Sequence, residues 1–241
     1  VRRAAALAVG ALALAGSLSG CETTAEKSAR LERVAHRSRP VERGLTIARQ
    51  STDVRVLGTA LVHGNEGAAA VVTLRNNSGQ ALKNVPIAIT VTDARGSTVF
   101  QNNTPGLEAA LTSLASLGAH GETTWIDDQV QASGTPTSVS ATVGVAPTMN
   151  GSVPRIEVQG VHSSEEGGGA GAAGTVRNRS GVTQQNLVVY VLARRAGRIV
   201  AAGRAVLPEV GAGASLPFQA FLQGSPAGAR LQASAPPTAF G

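Results

Sequence analysis

The chain has a single cysteine, Cys21, in 241 residues. One thiol makes no intramolecular disulfide. The four histidines, His36, His63, His120 and His162, stand in no metal-ligand spacing and have no second cysteine to complete a zinc site. Large aromatics are nearly missing as well: one Trp, one Tyr and four Phe. Such side chains bury roughly 150–250 Å² each and usually dominate a core. The core here is therefore expected to be Val, Leu, Ile and Ala, anchored by Trp125, Tyr190, Phe218 and Phe221. A Gly-x-Ser-x-Gly nucleophile elbow is missing. The glycine run Gly167-Gly168-Gly169-Ala170-Gly171 has no Lys-Ser/Thr after it, which excludes a phosphate loop and leaves a mobile connection between strands. Asp127-Asp128 is the densest acidic pair, but no Asp-x-Asp-x-Asp ladder supplies the six to eight oxygens of a calcium site. The expectation is a non-catalytic protein without metal or cofactor.

What is present begins with an address. Val1-Arg2-Arg3 is followed by the apolar run Ala4–Leu18 and then Ser19-Gly20-Cys21. A cationic start, an apolar stretch and small residues before a cut are the three parts of a secretory signal. The apolar run has about 15 residues, short of the ~20 that span a bilayer. Leu18-Ser19-Gly20-Cys21 resembles the lipobox of bacterial lipoproteins at all four positions. The resemblance implies that residues 1–20 are a lipoprotein signal peptide, that Cys21 receives a diacylglycerol, and that cleavage falls before it. Two acyl chains give stable anchoring where one is marginal. A chance cysteine behind an ordinary secretory signal is the alternative.

Residues 21–50 read as a polar tether. Between Glu22 and Gln50 lie seven basic and four acidic residues and few large apolar ones, too little apolar surface to offset the entropy of ordering. Residues 51–241 carry twelve basic and eleven acidic side chains, so the net charge of +6 and the pI of about 10.9 do not describe a basic domain. That argues against nucleic-acid binding, which calls for a clustered basic face. Basic residues beside a lipid anchor either attract anionic lipid or merely keep the spacer soluble.

The remainder is a tandem repeat. Val54-Arg-Val56-Leu-Gly58 aligns with Ile156-Glu-Val158-Gln-Gly160 at an offset of 102 residues, and at the same offset Thr73-Leu-Arg75-Asn76-Asn-Ser78-Gly79 meets Thr175-Val-Arg177-Asn178-Arg-Ser180-Gly181. A period this long means two copies of one domain. Val85, Ile87, Ile89 and Val91 alternate with their neighbours, as do Leu187, Val189, Val191 and Ala193. Period-two alternation between turn formers such as Asn77-Ser78-Gly79 and Ala196-Gly197 indicates short half-buried strands. The fold class is thus all-β, two tandem antiparallel β-sandwiches of immunoglobulin-like kind, at residues 51–146 and 154–236, joined by Pro147–Pro154. Copy one has about eight more residues between the Gly96 turn and Leu117. There Leu107, Leu111, Leu114 and Leu117 space as the apolar stripe of a short helix, either a cap on the sandwich or a docking surface.

The repeated Thr-Leu/Val-Arg-Asn-x-Ser-Gly, the following Asn-Val/Leu with alternating apolar residues, and the glycine turns resemble the FxLYD-type domains of bacterial envelope proteins. The aromatic of that family's motif is absent from both copies, and its aspartate appears only as Asp93, with Arg195 in copy two. The resemblance implies immunoglobulin-like sandwiches with no recognised catalytic site. Taken together, the sequence leads to an extracytoplasmic, lipid-anchored adaptor or structural module of the cell envelope. Its expected partners are membrane lipid through Cys21 and another envelope protein, with no nucleic acid. The alternative is a ligand-binding lipoprotein serving a transporter or sensor, with its site between the domains or on long loops at 59–69 and 161–172.

Overall fold

The computed structural model describes residues 44–65, 67–166 and 169–241. The expected signal peptide, Leu18, Ser19, Gly20 and Cys21, and the spacer up to residue 43 lie outside the described residues. Within them the chain is all-β, and its strand pairings are antiparallel. The first half runs β1 (Val54–His63), β2 (Ala68–Asn76), β3 (Leu82–Thr92), β4 (Thr98–Gln101), β5 (Ser113–Leu117), β6 (Glu122–Val130) and β7 (Ser138–Val143). The second runs β8 (Ile156–Glu166), β9 (Gly169–Asn178), β10 (Gln184–Arg195), β11 (Arg198–Val210), β12 (Ser215–Phe221), β13 (Gln223–Gly224) and β14 (Arg230–Ser234). The helix expected over the leucine stripe is a single 3₁₀ turn, Ala109–Leu111.

The sequence repeat reappears in the pairing. The sheet β1-β2-β6 has its counterpart in β8-β9-β12, and β3, flanked by β7 and by β4 and β5, in β10, flanked by β14 and β11. Both copies bulge at the same place: register shifts fall at Val56/Gly58 in β1 and at Gln159/His162 in β8. Gly160 there takes a φ of +62°, a left-handed conformation that costs glycine least. The shared Asn-x-Ser-Gly has a structural reason too. Asn178 is fully buried. Its Nδ2 donates to the carbonyls of Val182 (2.8 Å), Val210 (3.2 Å) and Gly211 (3.1 Å), and its Oδ1 accepts from the Ser180 amide (3.0 Å). Asn76 does the same for Gln80 (2.7 Å), Gly118 (3.0 Å) and Ser78 (2.9 Å). One amide side chain thus fastens the turn after the second strand of each copy to a glycine turn more than thirty residues downstream.

The copies part where copy one is longer. In copy two, β11 pairs with β10 almost without interruption from Arg198 to Val210. In copy one the same edge of β3 is covered by two short strands, β4 along Thr90–Thr92 and β5 along Leu82–Pro86. The gap is closed by the buried side chain of Asn102. Its Oδ1 accepts from the Ile89 amide and its Nδ2 donates to the Ile87 carbonyl, both at 2.8 Å, while the Ile87 amide donates to the Thr112 carbonyl at 2.9 Å. A side-chain amide stands in for a peptide of the missing strand. The leucines divide accordingly: Leu111 lies in the 3₁₀ turn, and Leu114 and Leu117 are core residues of β5. The stripe failed as a helix because the segment has a strand edge to complete.

Other expectations also change. Residues 59–69 and 161–172 are mostly strand, since β1 reaches His63 and β8 reaches Glu166. Residues 44–50, assigned to the spacer, run along the first half instead. Gln50 bridges Gly144, the Val145 amide donates to Arg49, and Leu45 and Ile47 are half-buried. Trp125, Tyr190 and Phe218 are buried as expected, but Phe221 is 59% exposed. In β12 the buried positions are Phe218 and Ala220, so strand alternation turns Phe221 outward. The connection between the halves is also held, by Lys83 donating to Pro147 and Met149 donating to Ala81.

Asn178→Ala leaves the buried carbonyls of Val210 and Gly211 without their donor. It is expected to lower stability by about 3 kcal/mol in a denaturant titration, at the cost of roughly 1–3 kcal/mol per orphaned group. A loss below about 1 kcal/mol would show that these carbonyls find water or another donor.

Candidate functional site

The two halves share a seam, and β10 makes it. Leu187, Val189, Val191 and Ala193 belong to the core of the second half, while Val188, Tyr190 and Leu192 on the opposite face join the core cluster of the first. Across the β10–β11 ladder Tyr190 pairs with Arg204 and Leu192 with Ala202, so these four side chains share the face turned to the first half. Facing them are β6 and β2, where Ile126 pairs with Val71 and both are buried. Strands whose two faces are both covered read as continuous apolar runs, and Leu187-Val-Val-Tyr-Val-Leu-Ala193 is such a run. That was the available sign of the seam.

Arg204 is the polar centre of this contact, with its side chain 4% exposed. Its Nε donates to Asp128 Oδ1 at 2.8 Å, its backbone amide donates to Asp128 Oδ2 at 3.1 Å, and both terminal nitrogens reach Glu108 Oε2 at 3.4 Å. The acidic pair noted in the sequence is thus split in role. Asp128 binds across the seam. Asp127, one residue earlier, pairs with Ala70 and accepts from the Gln129 amide at 2.9 Å. Burial pushes the Asp127 carboxyl up to about 6, with the neighbouring Asp128 adding to the rise, against the pull of the Gln129 hydrogen bond and of Arg204. Burial also pushes the Tyr190 phenol far above its usual range, so it stays neutral.

The C-terminal segment closes the seam from one side. Gln184, fully buried, accepts the amides of Thr238 (2.8 Å) and Ala239 (3.1 Å) on Oε1, and Ser116 of the first half donates to the Pro237 carbonyl at 2.9 Å.

Several clefts open between the halves, among them two of more than 400 Å³. One, of about 440 Å³, is lined by Asn84, Glu108 and Ala110 of the first half and by Asn186, Tyr190 and Val206 of the second. Asn84 and Asn186 occupy the same position in the two copies, and both have left-handed backbones, φ of +49° and +48°. The other, of about 710 Å³, is bounded by His63, Asn65 and Gln129 on one side and by Phe221, Gln223 and Ser225 on the other. Of the remaining histidines, His120 stands in the turn before β6, His162 shares a 2.8 Å contact between Nδ1 and the Gly160 carbonyl, and His36 lies outside the described residues. Among the described residues no group of three His, Cys, Asp or Glu is placed to hold a metal, and no helix is long and apolar enough to cross a membrane.

No family model and no curated protein matches the chain. Among solved structures it is similar to red sea bream transglutaminase, at 10% identity and a TM-score of 0.22, over 88% of this chain and 32% of that one. The chain spans about a third of that enzyme's length, and so slight a likeness carries no argument about activity.

Two outcomes follow from the seam. Asp128→Ala leaves Arg204 buried without its main partner. It is expected to destabilise by roughly 3–5 kcal/mol in equilibrium unfolding, and Asp128→Ala with Arg204→Met to recover most of that; no recovery in the double variant would contradict this account. Asp127 holds its proton more tightly folded (about 6) than unfolded (3.8). Its contribution is therefore complete below about pH 4 and is lost as pH rises through 6, a change of roughly 3 kcal/mol. Asp127→Asn should be more stable than the parent at pH 7.5 and lack that fall between pH 4 and 7 when melting is followed across pH. An unchanged pH profile would mean that Asp127 titrates normally.

Proposed function

We propose that this chain is an extracytoplasmic lipoprotein, anchored through Cys21, whose two immunoglobulin-like sandwiches form a non-catalytic adaptor of the cell envelope. The observation that carries it is the sequence Leu18-Ser19-Gly20-Cys21 behind a short cationic and apolar leader, holding the chain's one thiol. The matching strand order of the two halves supports the tandem immunoglobulin-like reading. The seam supports the adaptor reading. Residues 44–241 belong to one compact unit, so the two domains present a single composite surface in place of two swinging modules. Arg204, buried in that seam, is engaged with the half-buried Asp128. A second reading, a ligand-binding lipoprotein serving a transporter or sensor, is favoured by the two clefts, each lined from both halves.

The anchor is tested by metabolic labelling with an alkyne fatty acid and membrane fractionation of cells making the parent chain or Cys21→Ala. Label and membrane association are expected in the parent, and loss of both in the variant. A parent that takes no label, or a variant that stays with the membrane, overturns the anchor. Crosslinking in the same cells addresses the adaptor: a partner protein recovered by the anchored chain supports it, and none in repeated trials favours the ligand-binding reading.

A further inference from the structure

We propose that the cleft beside Phe221 is a saccharide-binding site. This rests on the ligand-binding reading and is independent of the lipid anchor. Phe221 is one of only six aromatic residues in the chain, and it is 59% exposed. Its exposure is built into the scaffold. The cross-strand neighbour on its face is Gly171, which has no side chain to cover the ring. Its backbone is held on both sides. The Leu222 amide donates to Ala170 at 2.9 Å, and the Phe221 carbonyl packs over Gly203 so closely that a methyl group there would lie 1.9 Å from it. An aromatic ring on a rigid strand is an organised platform, since little freedom is lost when a ligand settles on it.

The groups around the ring name the ligand. His63, Asn65, Gln129 and Ser225 are exposed and Gln223 is half-buried. Among the described residues none of these five side chains makes a hydrogen bond to the protein. Gly64 leaves room for the Gln223 amide, which would meet even a methyl side chain there at 1.7 Å. Amides and a hydroxyl each supply donors and acceptors together, which suits a ligand carrying many hydroxyls. The electron-rich face of a phenyl ring attracts the slightly positive C–H edge of such a ligand. An anionic ligand such as a phosphate is disfavoured: among the described residues the cleft's lining carries the Asp128 carboxylate and no lysine or arginine. The cleft's volume of about 710 Å³ falls in the range of ligand pockets, roughly 300–1,000 Å³. The other cleft lacks the platform, its aromatic, Tyr190, being buried.

The test titrates the full chain, in detergent, with tri-N-acetylglucosamine and separately with maltotriose, by calorimetry and saturation-transfer NMR. Saturable binding of one of them is expected. Phe221→Ala should weaken it by about tenfold, with little change in melting temperature because Phe221 is largely exposed and belongs to neither core cluster, and Gln129→Ala by a few-fold. Val206→Ala, in the other cleft, should leave it unchanged. No saturable binding of either sugar overturns the proposal. Binding that survives Phe221→Ala but falls with Val206→Ala also overturns it, while leaving the broader ligand-binding reading standing. A protein crosslink that disappears with Phe221→Ala, with no sugar bound, would assign the ring to a protein interface instead.

Discussion

Val188, Tyr190 and Leu192 have to be covered, and the second half cannot cover them itself, because its own core takes the other face of β10. Much of the arrangement follows from that requirement. β6 and β2 must supply a flat apolar face, which Ile126 and Val71 do. The connection between the halves must lie down along β3. The arginine opposite Tyr190 must find its counter-charge on the first half, which it does in Asp128. In a chain with few aromatics, this joint burial makes one larger core system out of two small aliphatic ones.

The two copies show what a repeat keeps and what it changes. The asparagine lock and the bulge are kept, and the lock satisfies backbone carbonyls that both copies present. Side chains on outward faces are changed, because the seam places the copies in different surroundings. At equivalent positions β6 carries Asp128, which ties the seam, and β12 carries Phe221, which faces solvent. Copy one also interrupts an edge strand with a longer segment and repairs the ladder through Asn102. The segment then contributes Glu108 and Ala110 to the cleft beside Tyr190.

The strands and the repeat were legible in the sequence because both are local or periodic. Alternation in β3 and the shared Asn-x-Ser-Gly needed no knowledge of what lay opposite. The seam was harder. The residues of β10 that face the first half are as apolar as those that face its own core, so alternation found the first set and passed over the second. Phe221 was read as core because aromatics are scarce, whereas its parity in β12 already placed it outside. The leucine stripe misled because a three-residue spacing is shared by a helix and by a turn running into a strand. The clefts were legible only as a position between domains, since their lining comes from four or more separate segments.

The shared seam also bears on the order in which the chain is made. Val188, Tyr190, Leu192 and Ala202 complete a core whose other members end at Val143, so a ribosome that has released the first half has not released all of that core. The seam then waits longer still, for Pro237 to meet Ser116 and for Thr238 and Ala239 to meet Gln184. Contacts so distant along the chain form late and slowly. During that interval the faces of β2 and β6 stand uncovered, an apolar surface prone to association before folding is finished. Residues 237–239 are thus a closing step for both halves.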